Sequence, residues 1–262
     1  MLSCLLAVTR VLPTIPPELV VVDEDEPCPY LEGRTARRPL RVPIRPLSPA
    51  ELDARLEVGD RRSGPFLYNQ RCPGCSACEP LRIDVEAFRP SSSQRRATRK
   101  GERELLVEIG EPVVDDERVA LFGKHEELRG LRQRERSLDA QEYARFLVES
   151  SAPAFEIRYR LASSGQLVGI AITDRGERSL SAVYTYYDPE HGRLSPGVFS
   201  ILTQLRLCAE WGLRWLYLGL AIEQSEHMRY KLDWYPHERR IDGAWRRFTS
   251  RPAALDGAPS LR

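Results

Sequence analysis

The sequence has no apolar run approaching the ~20 residues a membrane-spanning helix needs. It has no internal repeat, which excludes a solenoid or array. An excess of one charge is missing too. The formal balance is only +1, so bulk electrostatics names no polyanionic partner. The opening MLSCLLAVTRVLP is apolar but lacks a basic n-region and a small-residue cleavage site, and reads as a divergent or misplaced start, not a signal peptide. These absences leave the expectation of a cytoplasmic protein with no membrane partner. With 42% hydrophobic and 29% charged residues, the chain is an ordinary globular one, long enough to bury a core.

Cysteine is scarce, six in all, yet three stand together as Cys72-x-x-Cys75-x-x-Cys78. In a cytosolic chain such a cluster favours metal or redox chemistry over a disulfide framework. Thiolates at this spacing can converge on one ion from a tight loop. Cys28, in Pro27-Cys28-Pro29-Tyr30, is the candidate fourth ligand. Reduced thiols in a packed turn are the bland alternative. Cys4 and Cys208 look like bystanders, and Cys208, among apolar residues, looks like a small core residue. Beyond the cluster, Arg95, Arg96, Arg99 and Lys100 form a basic run whose spacing can line one helical face. Metal-type cysteines beside it point to nucleic acid, with RNA the expected partner; a merely solvated face is the alternative.

Four regions are expected. Residues 1–26 read as an irregular extension, 27–115 as a turn-rich Cys-containing domain with the basic segment, 116–248 as a second domain, and 249–262 as a Pro/Ala/Gly-rich disordered tail. Residues 81–85 alternate like a half-buried strand. Ser91, Ser92 or Ser93 can cap a helix through SQRRATRKGERELL. Residues 117–150 read as helical, with Tyr143, Phe146 and Leu147 on one face. Residues 155–161, 167–173 and 180–187 form an antiparallel meander broken at Asp188-Pro189. Pro196-Gly197 opens a helix over 198–211 that stops at Gly212. A buried strand (215–218) and a short helix (223–232) follow. The order β-β-β-α-β-α is α+β.

The motifs CPYLEGRTAR (28–37), RRSG (61–64), RCPGCSACEPLRI (71–83), FRPSSSQRR (88–96), LSAVYTYYDP (180–189), YLGL (217–220) and MRYK (228–231) occur together and in order. The chain thereby resembles, over about residues 27–248, the arginyl- and leucyl-tRNA–protein transferases of the N-end rule pathway. The resemblance implies a GNAT-like acyltransferase domain with a mixed, largely antiparallel sheet. It implies transfer of leucine or arginine from Leu-tRNA or Arg-tRNA to the α-amine of proteins beginning with Asp or Glu, which a downstream adaptor delivers to degradation. No cofactor is required, because an ester is exchanged for an amide and the step is downhill.

The same resemblance locates the chemistry. It makes Asp188 the candidate for orienting or deprotonating the amine, and Tyr186 and Tyr217 candidate hydroxyl donors. Arg62, Arg82, Arg229 and Lys231 become candidates for the acceptor's acidic side chain. Cys28, Cys72, Cys75 and Cys78 become a zinc or iron–sulfur site. Strand tyrosines are as often packing, and an Asp before Pro as often a turn residue. Two positions depart from the family pattern: Gln224-Ser225-Glu226-His227 replaces a Gly-Cys, and Phe199 replaces a tyrosine. A CoA-dependent acetyltransferase would need an Arg/Gln-x-x-Gly-x-Gly/Ala loop for a pyrophosphate, and residues 192–197, GRLSPG, lack that spacing. A non-catalytic metal-knuckle RNA-binding protein would leave the C-terminal half without a role.

Overall fold

The computed structural model describes residues 10–131 and 136–250. The chain opens with β1 (Arg10–Leu12) and β2 (Glu18–Val22), the small ladder β3 (Asp25–Pro27) and β4 (Thr35–Arg37), and then β5 (Leu40–Pro43). Helix α1 (Pro49–Glu57) starts in a capping box: Ser48 Oγ accepts the Glu51 amide, and the Glu51 carboxylate accepts the Ser48 amide at 2.8 Å. Next, β6 (Arg61–Ser63) and β7 (Phe66–Tyr68) complete a five-stranded sheet ordered β1-β2-β5-β7-β6. The expectation of an irregular extension over 1–26 is therefore corrected from Arg10 onward. Val20 is fully buried, and β2 pairs with β5, so this segment belongs to a sheet. Residues 1–9, with Cys4, lie outside the described residues.

The rest of the chain builds an eight-stranded sheet. Strand β8 (Glu79–Asp84) leads into α2 (Ser92–Glu104), capped by Ser91 with Gln94 reaching back to it. Then come β9 (Leu105–Gly110), α3 (Asp116–Leu128), α4 (Ala140–Tyr143) with a π-helical turn over Ala144–Val148, β10 (Ala154–Leu161), β11 (Leu167–Arg175) and β12 (Ser179–Tyr187). The last three strands are the expected antiparallel meander. A 3-10 turn (Pro189–Leu194) precedes α5 (Pro196–Glu210), β13 (Trp215–Ala221), α6 (Glu226–Arg229) with its 3-10 continuation Tyr230–Asp233, and a hairpin, β14 (His237–Ile241) and β15 (Ala244–Phe248). The order is β15-β14-β8-β13-β12-β11-β10-β9.

This order corrects the division expected at residue 115. Strands β8 and β9, from the Cys-containing half, are ladder members of the same sheet as the meander. The hairpin at the far edge was not anticipated, because arginine-rich strands such as His237–Ile241 carry no apolar alternation. The architecture is mixed α and β, with a mixed, largely antiparallel sheet. Of the tail expected from 249, residues 251–262 lie outside the described residues.

Both faces of the sheet are covered. On one, α2 and α5 pack over Leu81, Ile83, Ile157, Val168, Ala171, Leu216 and Leu218. On the other, α3 and α4 cover Leu167, Ile170, Ile172 and Tyr186, while α1 and β7 cover Trp215 and Tyr217. All seven residues of β13 are buried, as expected of a central strand enclosed from both sides.

Candidate active site

The parallel pair β12–β13 is joined by only three residue pairs, Ser179↔Trp215, Leu180↔Leu216 and Ser181↔Tyr217. Past them β13 bulges between Tyr217 and Gly219 and keeps pairing with β8 alone. The two strands part, and a sheet that is otherwise continuous opens in the middle, at the carboxyl ends of its only parallel pair. In open sheets such a topological switch is where ligands bind. Residues 182–185 of β12 are only partly buried although their strand is central.

Five groups converge on this opening. Arg61 enters from β6, Tyr187 ends β12, Arg129 ends α3, and Tyr230 and Lys231 follow α6. The Arg61 guanidinium lies against Gly219, whose φ of +80° leaves no room for a Cβ: one built there would sit 1.3 Å from Arg61 Nη1. That nitrogen is buried without a hydrogen-bond partner, and Arg61 has no carboxylate in ion-pair range among the described residues. Tyr230 is half exposed; burial of its hydroxyl end and the nearby Tyr187 raise its pKa. Arg129 stands over the Tyr187 ring at 6.0 Å. His125, buried in α3, fixes the end of β12 through the Tyr187 amide, which donates to His125 Nδ1 at 3.1 Å. Burial lowers the His125 pKa, so the ring is neutral at pH 7.

Lys231 is 9% exposed. Its Nζ donates to Leu220 O at 2.9 Å and meets Met228 Sδ at 3.8 Å, and no carboxylate of the described residues pairs with it. Burial first and the Arg61 charge second push its ammonium down to about 7. Arg229 is exposed at the rim. So Arg229 and Lys231, expected as substrate groups, do lie at one place.

The other expected residues do not. Arg62 is turned away and held by Asp174 in a two-pronged pair, Nε at 2.9 Å and Nη2 at 2.8 Å, with Nη1 on Gly64 O at 2.9 Å. Arg82 is clasped between Glu57 and Glu238 and stacked on Trp215 and Trp245, with ring centroids 3.8 and 4.1 Å away. The Tyr217 hydroxyl accepts from Arg82 at 3.1 Å and donates to Glu57 at 3.2 Å, so it belongs to that network under α1. Burial raises its pKa. Tyr186 is fully buried under α3, its hydroxyl 2.6 Å from that of Tyr143, and burial raises its pKa also. Asp188 is 2% exposed; it accepts the Glu190 amide at 3.0 Å and pairs with Lys124 at 2.8 Å. The structure does not bring Asp188, Tyr186 and Tyr217 around one reacting centre: each side chain is held by its own protein partners, Tyr186 and Asp188 under α3 and Tyr217 by Arg82 and Glu57 under α1.

Helix α2 presents Arg95, Arg96 and Arg99 to solvent, with Lys100 partly buried. It rests on α5 through Gly101, whose missing Cβ would sit 2.3 Å from the Phe199 ring. Helix α5 in turn begins at the opening, with Gly197 against the Tyr187 ring. The basic face is thus one helix away from the cleft.

Cys28, Cys72, Cys75 and Cys78 are free and partly buried. Cys72 Sγ accepts the Arg37 amide at 3.4 Å. Burial, then Cys72, Cys28 and Cys75, push the Cys78 thiol up to about 12, so the four share one neighbourhood. As thiophilic donors they suit zinc or an iron–sulfur cluster. Among the described residues, however, no group of three or more Cys, His, Asp or Glu side chains is arranged to hold an ion. A cavity of about 300 Å³ adjoins them, lined also by Gln70, Arg71 and Arg240. Cys208 is the core residue expected, its thiol pushed to about 12 by burial.

Comparison with known proteins adds the family. The description "Arginine-tRNA-protein transferase, N terminus" matches residues 26–96, and "Arginine-tRNA-protein transferase, C terminus" matches residues 117–241. The chain belongs to the arginine-tRNA-protein transferase family. Relatives of this transferase named aspartate/glutamate leucyltransferase include that of Methylobacillus flagellatus, 35% identical over 219 residues, covering 84% of this chain and 87% of the relative. That of Aeromonas hydrophila is 38% identical over 200 residues, 75% of this chain and 81% of its own. That of Halorhodospira halophila is 36% identical, covering 84% and 92%. Among solved structures, the C-terminal domain of a putative lysylphosphatidylglycerol synthetase from Agrobacterium fabrum aligns with a TM-score of 0.45 and 18% identity, over 60% of this chain and 53% of that one.

Residue reasoning missed Arg61, Tyr230, Arg129 and His125, and reached Tyr187 only as part of the segment 184–188. The RRSG motif held the signal for Arg61. In a three-residue strand, nothing in the sequence says which of two adjacent arginines faces the ligand.

Proposed function

We propose that this transferase moves leucine from Leu-tRNA to the α-amine of proteins that begin with Asp or Glu, marking them for degradation, and that it does so in the opening between β12 and β13. The cleft is GNAT-like in kind: a parallel pair, joined through α5, that parts to admit the acyl donor. One observation carries the placement, the Arg61 Nη1 buried against Gly219 without a hydrogen-bond partner, on a guanidinium that has no carboxylate in ion-pair range among the described residues. A buried unpaired cation is costly, so an incoming carboxylate is strongly favoured there. The acidic side chain of the acceptor is that carboxylate, with Arg229 at the rim. This sets its α-amine near Lys231 and the end of β12. The exposed arginines of α2 hold the tRNA by its phosphates, and the aminoacylated 3′ end reaches in past the start of α5. Bringing ester and amine together supplies much of the rate by positioning alone.

The four cysteines are proposed to bind zinc or an iron–sulfur cluster as a structural centre; no catalytic step passes through it. Elemental analysis of purified protein tests this. About one bound metal site per chain is expected, abolished in Cys75→Ser; metal-free protein of full stability would refute it.

The reaction is tested by mixing purified protein with Leu-tRNA or Arg-tRNA and peptides beginning with Asp, Glu, Lys or Ala, and reading the new N-terminus by mass spectrometry. One added leucine on the Asp and Glu peptides, without CoA or ATP, is the expected result. Acetylation on supplying acetyl-CoA, with no aminoacyl transfer from either tRNA, overturns the reading.

A further inference from the structure

The α-amine of the acceptor has a pKa near 7.7–8; its neutral fraction is what attacks, and the nitrogen must then shed one proton as the amide forms. The expected carboxylate, Asp188, already holds Lys124 and the Glu190 amide. Of the basic side chains named at the opening, Arg61, Arg129 and Arg229 carry guanidinium groups that stay charged, so Lys231 is the one that can accept a proton, and no carboxylate of the described residues pairs with it. Every group facing it disfavours its charged form or is neutral: Arg61 from β6, Met228 and the Tyr230 ring from its own segment, and the Leu220 carbonyl from β13. Around these stand Tyr187 and Arg129, which face Tyr230. No carboxylate of the described residues is among them. Burial with Arg61 holds the pKa of this amine down to about 7, so a large share of it is neutral at pH 7. A neutral amine has two N–H groups and one lone pair. One N–H is spent on Leu220 O at 2.9 Å, which leaves the lone pair unengaged.

Resting on the leucyl-transfer reading above, we infer that Lys231 is the general base of the reaction, taking the proton of the attacking α-amine on its Nζ. As the C–N bond forms, that proton passes to Nζ. The tetrahedral intermediate then collapses and the ester C–O bond breaks. The departing ribose oxygen of the tRNA takes the proton back, so the lysine ends neutral and the products are an amide and a free hydroxyl. Lys231 is thereby reassigned from the acidic side chain, where it was expected, to the amine. The Arg61 charge keeps the lysine neutral while binding the carboxylate, so one cation serves both substrate recognition and base strength.

The test is single-turnover transfer from Leu-tRNA to an Asp-peptide by wild type, Lys231→Arg and Lys231→Ala, with folding checked by circular dichroism. Both variants are expected to lose about 100-fold or more in rate at little-changed peptide KM. Added methylamine or trimethylamine should restore Lys231→Ala in proportion to free-base concentration, and the second cannot itself form an amide. Lys231→Arg, whose guanidinium fills the space but is never neutral, should not be restored. Near-wild-type rate in Lys231→Arg overturns the inference, as does a Lys231→Ala defect confined to KM or deaf to amines. If neither variant folds, wild-type transfer that shows no break near pH 7 with a peptide of lowered α-amine pKa overturns it too. Wild-type protein that adds no leucine to any acidic peptide fails the reaction reading itself, which separates the two failures.

Discussion

Two adjacent arginines on β6 show how much one residue decides. Arg62 points into the core and is neutralised by Asp174, with side chains 2% exposed on both partners. Arg61, one position earlier, points the other way into the opening and finds no carboxylate among the described residues. Strand geometry makes this inevitable, since neighbours alternate faces. The consequences should separate cleanly. Arg62→Met leaves Asp174 charged and buried, and is expected to cost about 3–5 kcal/mol in denaturant unfolding. Arg61→Met removes no internal pair, so stability should stay near wild type. Its KM for the Asp-peptide should rise about 10- to 100-fold, the loss of one charge-assisted interaction of ~1.5–3 kcal/mol. If Arg61→Met leaves peptide KM unchanged, the carboxylate is held elsewhere.

At the scale of elements, α2 and α5 carry the argument. They touch where Gly101 lets the Phe199 ring approach, which seats α2 with its small-residue side down and its arginines out. Phe199, where the resemblance implies a tyrosine, meets the Tyr159 ring edge-on with centroids 5.7 Å apart, so here the position is a packing one. If the exposed face of α2 meets tRNA phosphates, each arginine releases counterions. Arg99→Ala should then weaken tRNA binding and lower the slope of log affinity against log salt by about 1, without changing peptide KM or Tm. An unchanged slope would assign the tRNA to another surface. The strand pair β12–β13 is the second element of interest. Its three-residue ladder, ended by the Gly219 bulge, is the structural origin of the cleft.

For the molecule as a whole, acid stability follows from its buried histidines. His237 is 2% exposed, with Nδ1 3.2 Å from Trp234 O, and burial holds its pKa down to about 4. The unfolded chain takes that proton near 6.5. Above pH 6.5 both states are neutral and the site adds no pH dependence. As pH falls from 6.5 towards 4 the unfolded state binds the proton first, so stability is lost across that window and levels off below it. His125, also lowered, acts in the same direction. Tm measured from pH 7 to 4 should decline, and His237→Phe, which can stack on Phe248, should flatten much of the decline.

What the sequence by itself determined is local. Helix starts were legible because capping is a short-range code, as at Ser91 with Gln94. The meander was legible because apolar and turn residues alternate with strand period, and the family because seven motifs occur in order. Arg229 and Lys231 could be named together because their motif sits whole on one short segment. Only the tertiary structure decided the rest. The strands of residues 10–27 and the arginine-rich hairpin at 237–248 are held by partners distant in sequence, not by their own pattern. Which tyrosine hydroxyls are spent on packing, and which of Arg61, Arg62 and Arg82 lacks a carboxylate, depends on partners such as Asp174, 112 residues from Arg62, and Glu238, 156 residues from Arg82. Charge neutralisation in a folded protein is a question of neighbours in space, and a sequence read along its length does not contain that list.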